Sequence, residues 1–262
     1  MSDQLLFDVN EHVATLTLNR PDKLNAFTLE MVEAWAAALQ ECRKNSDIHV
    51  IVVTGAGRGF CAGGDLVEMR QRVEETPFQQ KDFIWSHVHE VAKTLELIDK
   101  PVIAAINGVA NGAGLDMALM CDMRFAAEDA RLAESYIRVG LVPGDGGAYF
   151  LTRLVGTAKA LELLWTGDTL TAQEALALGI VNKVVPNAEL LDYTYSFAQR
   201  LVNSPTLCIR AIKRLVYQSH HAELRSALDA ASSLMGIVGS SNDHREALAA
   251  LAEKRKPVFT GS

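Results

Sequence analysis

The chain has 262 residues, 49% of them hydrophobic and 22% charged, which is enough apolar material to bury a sizeable core. Its formal charge is −7 and no run is rich in lysine and arginine, which argues against nucleic acid as a partner. Cys42, Cys61, Cys121 and Cys208 form no C-x-x-C pair, and no apolar run nears the ~18 residues of a membrane span, so no disulfide frame, zinc site or membrane helix is expected.

The opening residues have no basic stretch ahead of a long apolar run. No secretory leader is expected there, and the cytoplasm is the default compartment. Residues 13–18 alternate as a strand with one buried face, and Asn19-Arg20-Pro21-Asp22 ends it. From Thr28 to Lys44, Leu29, Val32, Trp35 and Leu39 recur at helical spacing. Val50-Ile51-Val52-Val53-Thr54 suits a strand covered on both faces, as does the run from Pro101 to Ile106. Phe78 to Leu97 reads as helical, and another helix begins near Gly114. Thr171 and Glu174 are spaced as a capping box. Ser204-Pro205 reads as a helix cap followed by a proline at the first helical position. From Asp192 onward the pattern is almost wholly helical.

Strand and helix alternate, so the fold class is α/β. We place an α/β core over residues 1–198 and a helical region over 199–262. Apolar stripes in that second region suit packing against other copies of the chain.

Two glycine-rich turns follow apolar strands. One is Gly55-Ala56-Gly57-Arg58-Gly59-Phe60-Cys61-Ala62-Gly63-Gly64-Asp65-Leu66, the other Asn107-Gly108-Val109-Ala110-Asn111-Gly112-Ala113-Gly114-Leu115-Asp116. Neither ends in the G-K-[ST] of a phosphate-binding loop, and neither fits a dinucleotide fingerprint. Glycine lets the backbone approach a ligand closely. Two such turns can aim two N–H groups at one oxygen gaining negative charge, which is an oxyanion hole.

These motifs resemble the crotonase, or enoyl-CoA hydratase/isomerase, superfamily. Phe60 to Leu66 is similar to its first oxyanion segment. Lys100 to Gly108, Gly112 to Asp116 and Cys121-Asp122 are similar to its second. Asn19-Arg20-Pro21 with Lys23-Leu24-Asn25-Ala26, Val139 to Pro143 with Gly146-Gly147, and the end Glu253 to Phe259 also match in order. The resemblance implies a spiral of ββα turns, a C-terminal helical trimerisation region and self-association as a trimer or dimer of trimers. It implies an acyl-CoA substrate, with no cofactor beyond that CoA, no metal and no membrane partner. It places the oxyanion hole at the N–H groups of Ala62 and Ala113. It places CoA contacts at Leu24, Ala26, Gly64, Asp65 and Leu66.

A family hydratase carries glutamates at the positions of Asp116 and Tyr136. Here one is an aspartate and the other a tyrosine, a poor base near neutrality. Asp116, Asp145 and Tyr136 are the candidate catalytic residues, with Glu134 a further acid two positions from Tyr136. Water addition and a double-bond shift both stay open. So do other reactions of the family, such as decarboxylation or hydrolysis, and a non-catalytic subunit that binds CoA thioesters. Asp122 reads as a structural acid, and Cys61 has no histidine placed to activate it.

Overall fold

A computed structural model describes residues 2–262. The chain opens with an antiparallel pair, β1 (Leu5–Asn10) and β2 (Val13–Leu18), followed by α1 (Leu29–Lys44). Thr28 caps α1 by accepting the N–H of Met31 at 3.2 Å. Three coils follow, each placing one strand in each of two sheets. The first is β3 (Val50–Gly55) with β4 (Gly59–Cys61), then α2 (Leu66–Gln71), α3 (Pro77–Phe83), a π turn over Ile84–Val88 and α4 (His89–Glu96). The second is β5 (Val102–Ile106), β6 (Val109–Asn111) and α5 (Ala113–Leu119). The third is β7 (Met123–Ala127) with β8 (Arg131–Ala133), a 3-10 turn over Ser135–Val139 and α6 (Gly147–Thr166). Then come β9 (Thr169–Thr171), α7 (Ala172–Ala177), β10 (Lys183–Val185) and four helices: α8 (Leu190–Val202), α9 (Thr206–Ser219), α10 (Leu224–Gly239) and α11 (Asn242–Glu253).

The larger sheet has the order β1-β2-β3-β5-β7-β10, parallel from β2 onward, and the smaller one β4-β6-β8-β9. This is the expected spiral of ββα turns. Strand alternation divides the interior into two cores. Leu16, Leu18, Ile51, Val53, Ala104 and Ile106 face inward with Trp35 and Phe60. Val50, Val52, Ile103, Ala105 and Phe125 point the other way, against Leu190 and Ala198 of α8.

The sequence and the fold differ at the start of α9. Its cap position is Pro205, with no side-chain bond, because the Ser204 hydroxyl donates instead to the Arg200 carbonyl at 2.7 Å. α8 runs unbroken across 198/199, from Leu190 to Val202. Asp122 is structural: it accepts the Val102 N–H at 2.7 Å, Lys213 Nζ at 2.7 Å and the Tyr217 hydroxyl at 2.8 Å, tying α9 to the core. No helix is long and apolar enough to cross a membrane among the described residues.

One side chain fixes the loop that leads to the first glycine-rich turn. Asn25 is fully buried and sits in the left-handed region at φ 57°, a conformation asparagine tolerates better than most residues. Its Nδ2 donates to the carbonyls of Ala56 at 2.9 Å and Gly59 at 2.7 Å, and its Oδ1 accepts the Arg20 N–H at 2.8 Å. Replacing Asn25 by alanine removes three bonds to the backbone and keeps the left-handed strain. The expected loss is about 2–4 kcal/mol in urea-unfolding free energy. A loss below about 1 kcal/mol would show that the loop is held by something else.

Candidate active site

The loop 24–27 is sewn to the end of β4. Ala62 N–H donates to the Leu24 carbonyl at 2.9 Å, Phe27 N–H to Gly63 at 2.9 Å and Asp65 N–H to Phe27 at 2.9 Å. Arg20 spans the seam, donating to the Ala26 carbonyl and pairing with Asp65 at 2.9 Å. Asp65 also caps α2, accepting the N–H groups of Val67 at 2.8 Å and Glu68 at 3.3 Å. Burial alone would raise its pKa, but the Arg20 bond and the two α2 N–H groups carry it below the usual carboxylate range.

This seam corrects the expectation for Ala62. Its N–H is already spent on Leu24, so it has nothing to offer a ligand. Gly64 is different. The Gly63 carbonyl points at Phe27, and across a trans peptide the N–H of Gly64 must point the opposite way. Ala113 is the first residue of α5, where helix N–H groups lack intrahelical partners. Neither Gly64 nor Ala113 N–H meets an acceptor among the described residues.

Close backbone approach brings the two segments together. A carbon added at Gly63 would lie 3.7 Å from Ala113 N, and one added at Gly114 would lie 2.1 Å from the Cys61 carbonyl oxygen. Only glycine at position 114 lets α5 start this close to β4. Cys61 itself is fully buried, which pushes its thiol up to about 12, so it is no nucleophile.

Beside this pair lies a knot of acids. Asp116, fully buried on α5, accepts the Tyr136 hydroxyl at 2.7 Å and the Asp145 N–H at 3.2 Å on Oδ2. Asp145 Oδ2 lies 3.1 Å from the same hydroxyl. The Tyr136 ring sits between the two loops: carbons added at Gly112 and at Gly144 would each be 3.8 Å from it. Asp116, Tyr136 and Asp145 are thus one constellation, next to Ala113. Leu24, Ala26, Gly64, Asp65 and Leu66 lie together on the opposite seam. The Leu24 N–H donates to Pro21 at 3.1 Å and the Ala26 N–H to Lys23 at 3.0 Å, and the Leu66 side chain is exposed.

The electrostatics of the knot are one-sided. Burial first, then the charge of Asp116, raises Asp145 to about 6. Burial also raises Asp116, partly offset by bonds from Glu134 and Tyr136. Tyr136 is pushed well above the usual phenol range by burial and by both aspartates, so it stays protonated. No cation bridges to these groups among the described residues.

Two contributors escape a reading of the sequence. Gly147 leaves room for the acids: a carbon there would be 2.2 Å from Asp116 Oδ1 and 3.1 Å from Glu134 Oε1. His89 Nε2 donates to the Gly144 carbonyl at 2.7 Å and so steadies the loop carrying Asp145. The glycine pair 146–147 hinted at the first. Nothing in the local pattern singles out His89 over His87.

Comparison with known proteins shows the family. The enoyl-CoA hydratase/isomerase family model matches residues 8–262. The chain is 36% identical to the 1,2-epoxyphenylacetyl-CoA isomerase of Escherichia coli, covering 100% of both. It is 34% identical to the trans-2-decenoyl-[acyl-carrier-protein] isomerase of Streptococcus mutans, covering 98% of each. An enoyl-CoA hydratase subunit from Geobacillus kaustophilus superposes with a TM-score of 0.93 at 36% identity, covering 100% of both chains. The chain therefore belongs to the enoyl-CoA hydratase/isomerase family of the crotonase superfamily, and is an enzyme of that type.

Proposed function

We propose that this enzyme shifts a carbon–carbon double bond in an acyl-CoA by way of a thioester enolate. The observation that carries the reading is the Tyr136 hydroxyl. It occupies the position of a family hydratase's second glutamate, and it bonds Asp116 and Asp145 instead of helping a carboxylate pair hold a water. Its high pKa keeps it a donor, not a base.

In this reading the thioester oxygen lies against the N–H groups of Gly64 and Ala113. Asp145, ionised at neutral pH, removes the α proton of a 3-enoyl thioester. The C–H electron pair forms a double bond between the α carbon and the thioester carbon while the carbonyl π pair moves onto the thioester oxygen, giving a dienolate. Asp145 then returns the proton at the γ carbon, leaving the conjugated 2-enoyl thioester. Its Oδ1 has no partner among the described residues, which leaves one oxygen for this task. Asp116 anchors Tyr136 and the Asp145 backbone from behind. The CoA portion runs along residues 24–26 and 64–66, where the exposed Leu66 and Val67 offer an apolar shelf. The isomerase activity named for the Streptococcus mutans relative supports this choice.

The helical region is proposed to join three copies, alone or as two stacked trimers. Ile212, Leu228, Met235 and Leu251 leave apolar side chains uncovered along α9, α10 and α11. Light scattering should give three or six times the 28.5 kDa chain mass; a monomer at micromolar concentration overturns it.

With a 3-enoyl-CoA, the product should be the 2-enoyl-CoA, and kcat/KM should rise as pH passes up through about 6, where Asp145 ionises. Asp145→Asn should lose that limb and on the order of 10²–10⁴ in kcat, with KM little changed. Accumulation of 3-hydroxyacyl-CoA as the main product from a 2-enoyl-CoA would overturn the reading in favour of hydration.

Gly64→Pro deletes one proposed donor while leaving the Gly63 carbonyl in place. The expected loss in kcat is on the order of 10²–10³. Unchanged kcat in a folded Gly64→Pro protein, judged by circular dichroism, would remove Gly64 from the oxyanion hole.

A further inference from the structure

Glu134 is the least explained group in the molecule. Its residue is only 2% exposed, yet neither carboxyl oxygen meets an N–H or O–H donor among the described residues. The one group within hydrogen-bonding reach is another carboxyl, that of Asp116. Asp116 Oδ1 is likewise without an N–H or O–H donor. Glu134 Oε1 and Asp116 Oδ1 crowd the same point above Gly147, 3.1 and 2.2 Å from where a side-chain carbon would sit. Two bare carboxylates cannot share that space in a buried site. Two acids sharing one proton can, because one then donates to the other.

The geometry points to Glu134 as the protonated partner of Asp116, a positioning residue whose O–H donates to Asp116 Oδ1 and fixes the pair's single negative charge on Asp116. The assignment of donor and acceptor follows from the neighbours. Asp116 Oδ2 already accepts the Tyr136 hydroxyl and the Asp145 N–H, which favour its charged form. Glu134 has no such donors. The groups facing Glu134 are Asp116 from α5, Asp145 from the loop before α6 and Tyr136 from its own 3-10 turn, all acids or a phenol. Those facing Asp145 are Asp116, Tyr136, His89 from α4 and the buried Cys61. The charge held on Asp116 helps to lift Asp145 into the neutral range. Glu134 thereby tunes a proton carrier that it does not itself bond, working through Asp116.

This inference rests on the double-bond-shift reading only for its activity assay; its first test needs no activity. Difference infrared spectra of wild type minus Glu134→Gln at pH 8 should show the C=O stretch of a protonated carboxylic acid that shifts in deuterium oxide. Glu134→Gln keeps an N–H donor toward Asp116 and does not titrate. Asp116→Asn should abolish the same band by letting Glu134 ionise against the asparagine amide. Absence of the band in wild type overturns the inference, whatever the enzyme's reaction. A band that persists unchanged in Glu134→Gln also overturns it.

The kinetic test uses whichever acyl-CoA the enzyme turns over. Glu134→Gln should keep kcat within about threefold and keep the limb near pH 6, whereas Glu134→Leu should lose about tenfold or more and move the limb to lower pH. The sign follows from the donor. Without it Asp116 takes a proton more readily, and Asp145 loses part of the negative field that raises it. Equal losses in the glutamine and leucine variants, with no movement of the limb, would reduce Glu134 to packing.

Discussion

The peptide between Gly63 and Gly64 is the piece of backbone on which the proposed oxyanion hole depends. Its carbonyl is held by Phe27 N–H at 2.9 Å, so its N–H must face the other way. Every neighbouring contact serves to keep that peptide from turning. Ala62 and Asp65 flank it with their own bonds to the loop 24–27, Arg20 bridges the loop to Asp65, and Asn25 ties the loop to the turn before β4. Each bond adds only about 1 kcal/mol net. Together they make rotation of one peptide a concerted rupture. A donor held in advance costs nothing to orient when charge develops on a substrate oxygen, which is why such rigidity bears on rate.

On the other side of the site the molecule accepts an unfavourable arrangement. Asp116, Glu134 and Asp145 are all buried, with 0, 2 and 6% exposure, and no lysine or arginine pairs with them among the described residues. A protein optimised for stability alone would put apolar groups there. Acids pushed upward by burial bind protons in the fold that the unfolded chain releases. As pH rises from the ordinary carboxylate range toward their folded values, they subtract from stability. Such local cost is common where proton chemistry is done.

The expectations drawn from sequence divide along a physical line. The α/β core was legible because strand periodicity is local: Val50 to Thr54 and Pro101 to Ile106 read directly as buried strands, and both cores follow from their period of two, while the two-sheet spiral came only from the family resemblance. The Thr171–Glu174 capping box was legible for the same reason. Which amide of the first turn is free was not legible. The choice between Ala62 and Gly64 turns on which groups the loop 24–27 engages, the Ala62 N–H at Leu24 and the Gly63 carbonyl at Phe27, and both are non-local contacts. The same holds for Ser204, whose hydroxyl found a carbonyl in the preceding turn instead of capping α9. Asp116, Tyr136 and Asp145 could be nominated separately. That one hydroxyl joins them, with Glu134 behind, depends on two different coils meeting at Gly147.

Tyr136 also bears on how many protons the site can move at once. Adding water to a double bond requires one group to take a proton from water while another supplies one to the α carbon. A shift requires a single group that takes a proton and gives it back. Here the phenol is locked as a donor to Asp116 at 2.7 Å, and Asp116 is filled on Oδ2 by that phenol and by the Asp145 N–H. Asp145, raised to about 6 and with one oxygen unengaged, is left as the group that can exchange a proton near neutrality. A glutamate at position 136 would restore a second exchangeable group but would bring a further charge against Asp116 and Asp145 in a buried site where no lysine or arginine pairs with them among the described residues. In the proposed double-bond shift, the tyrosine therefore relieves repulsion among the acids and limits the proton traffic to one carrier.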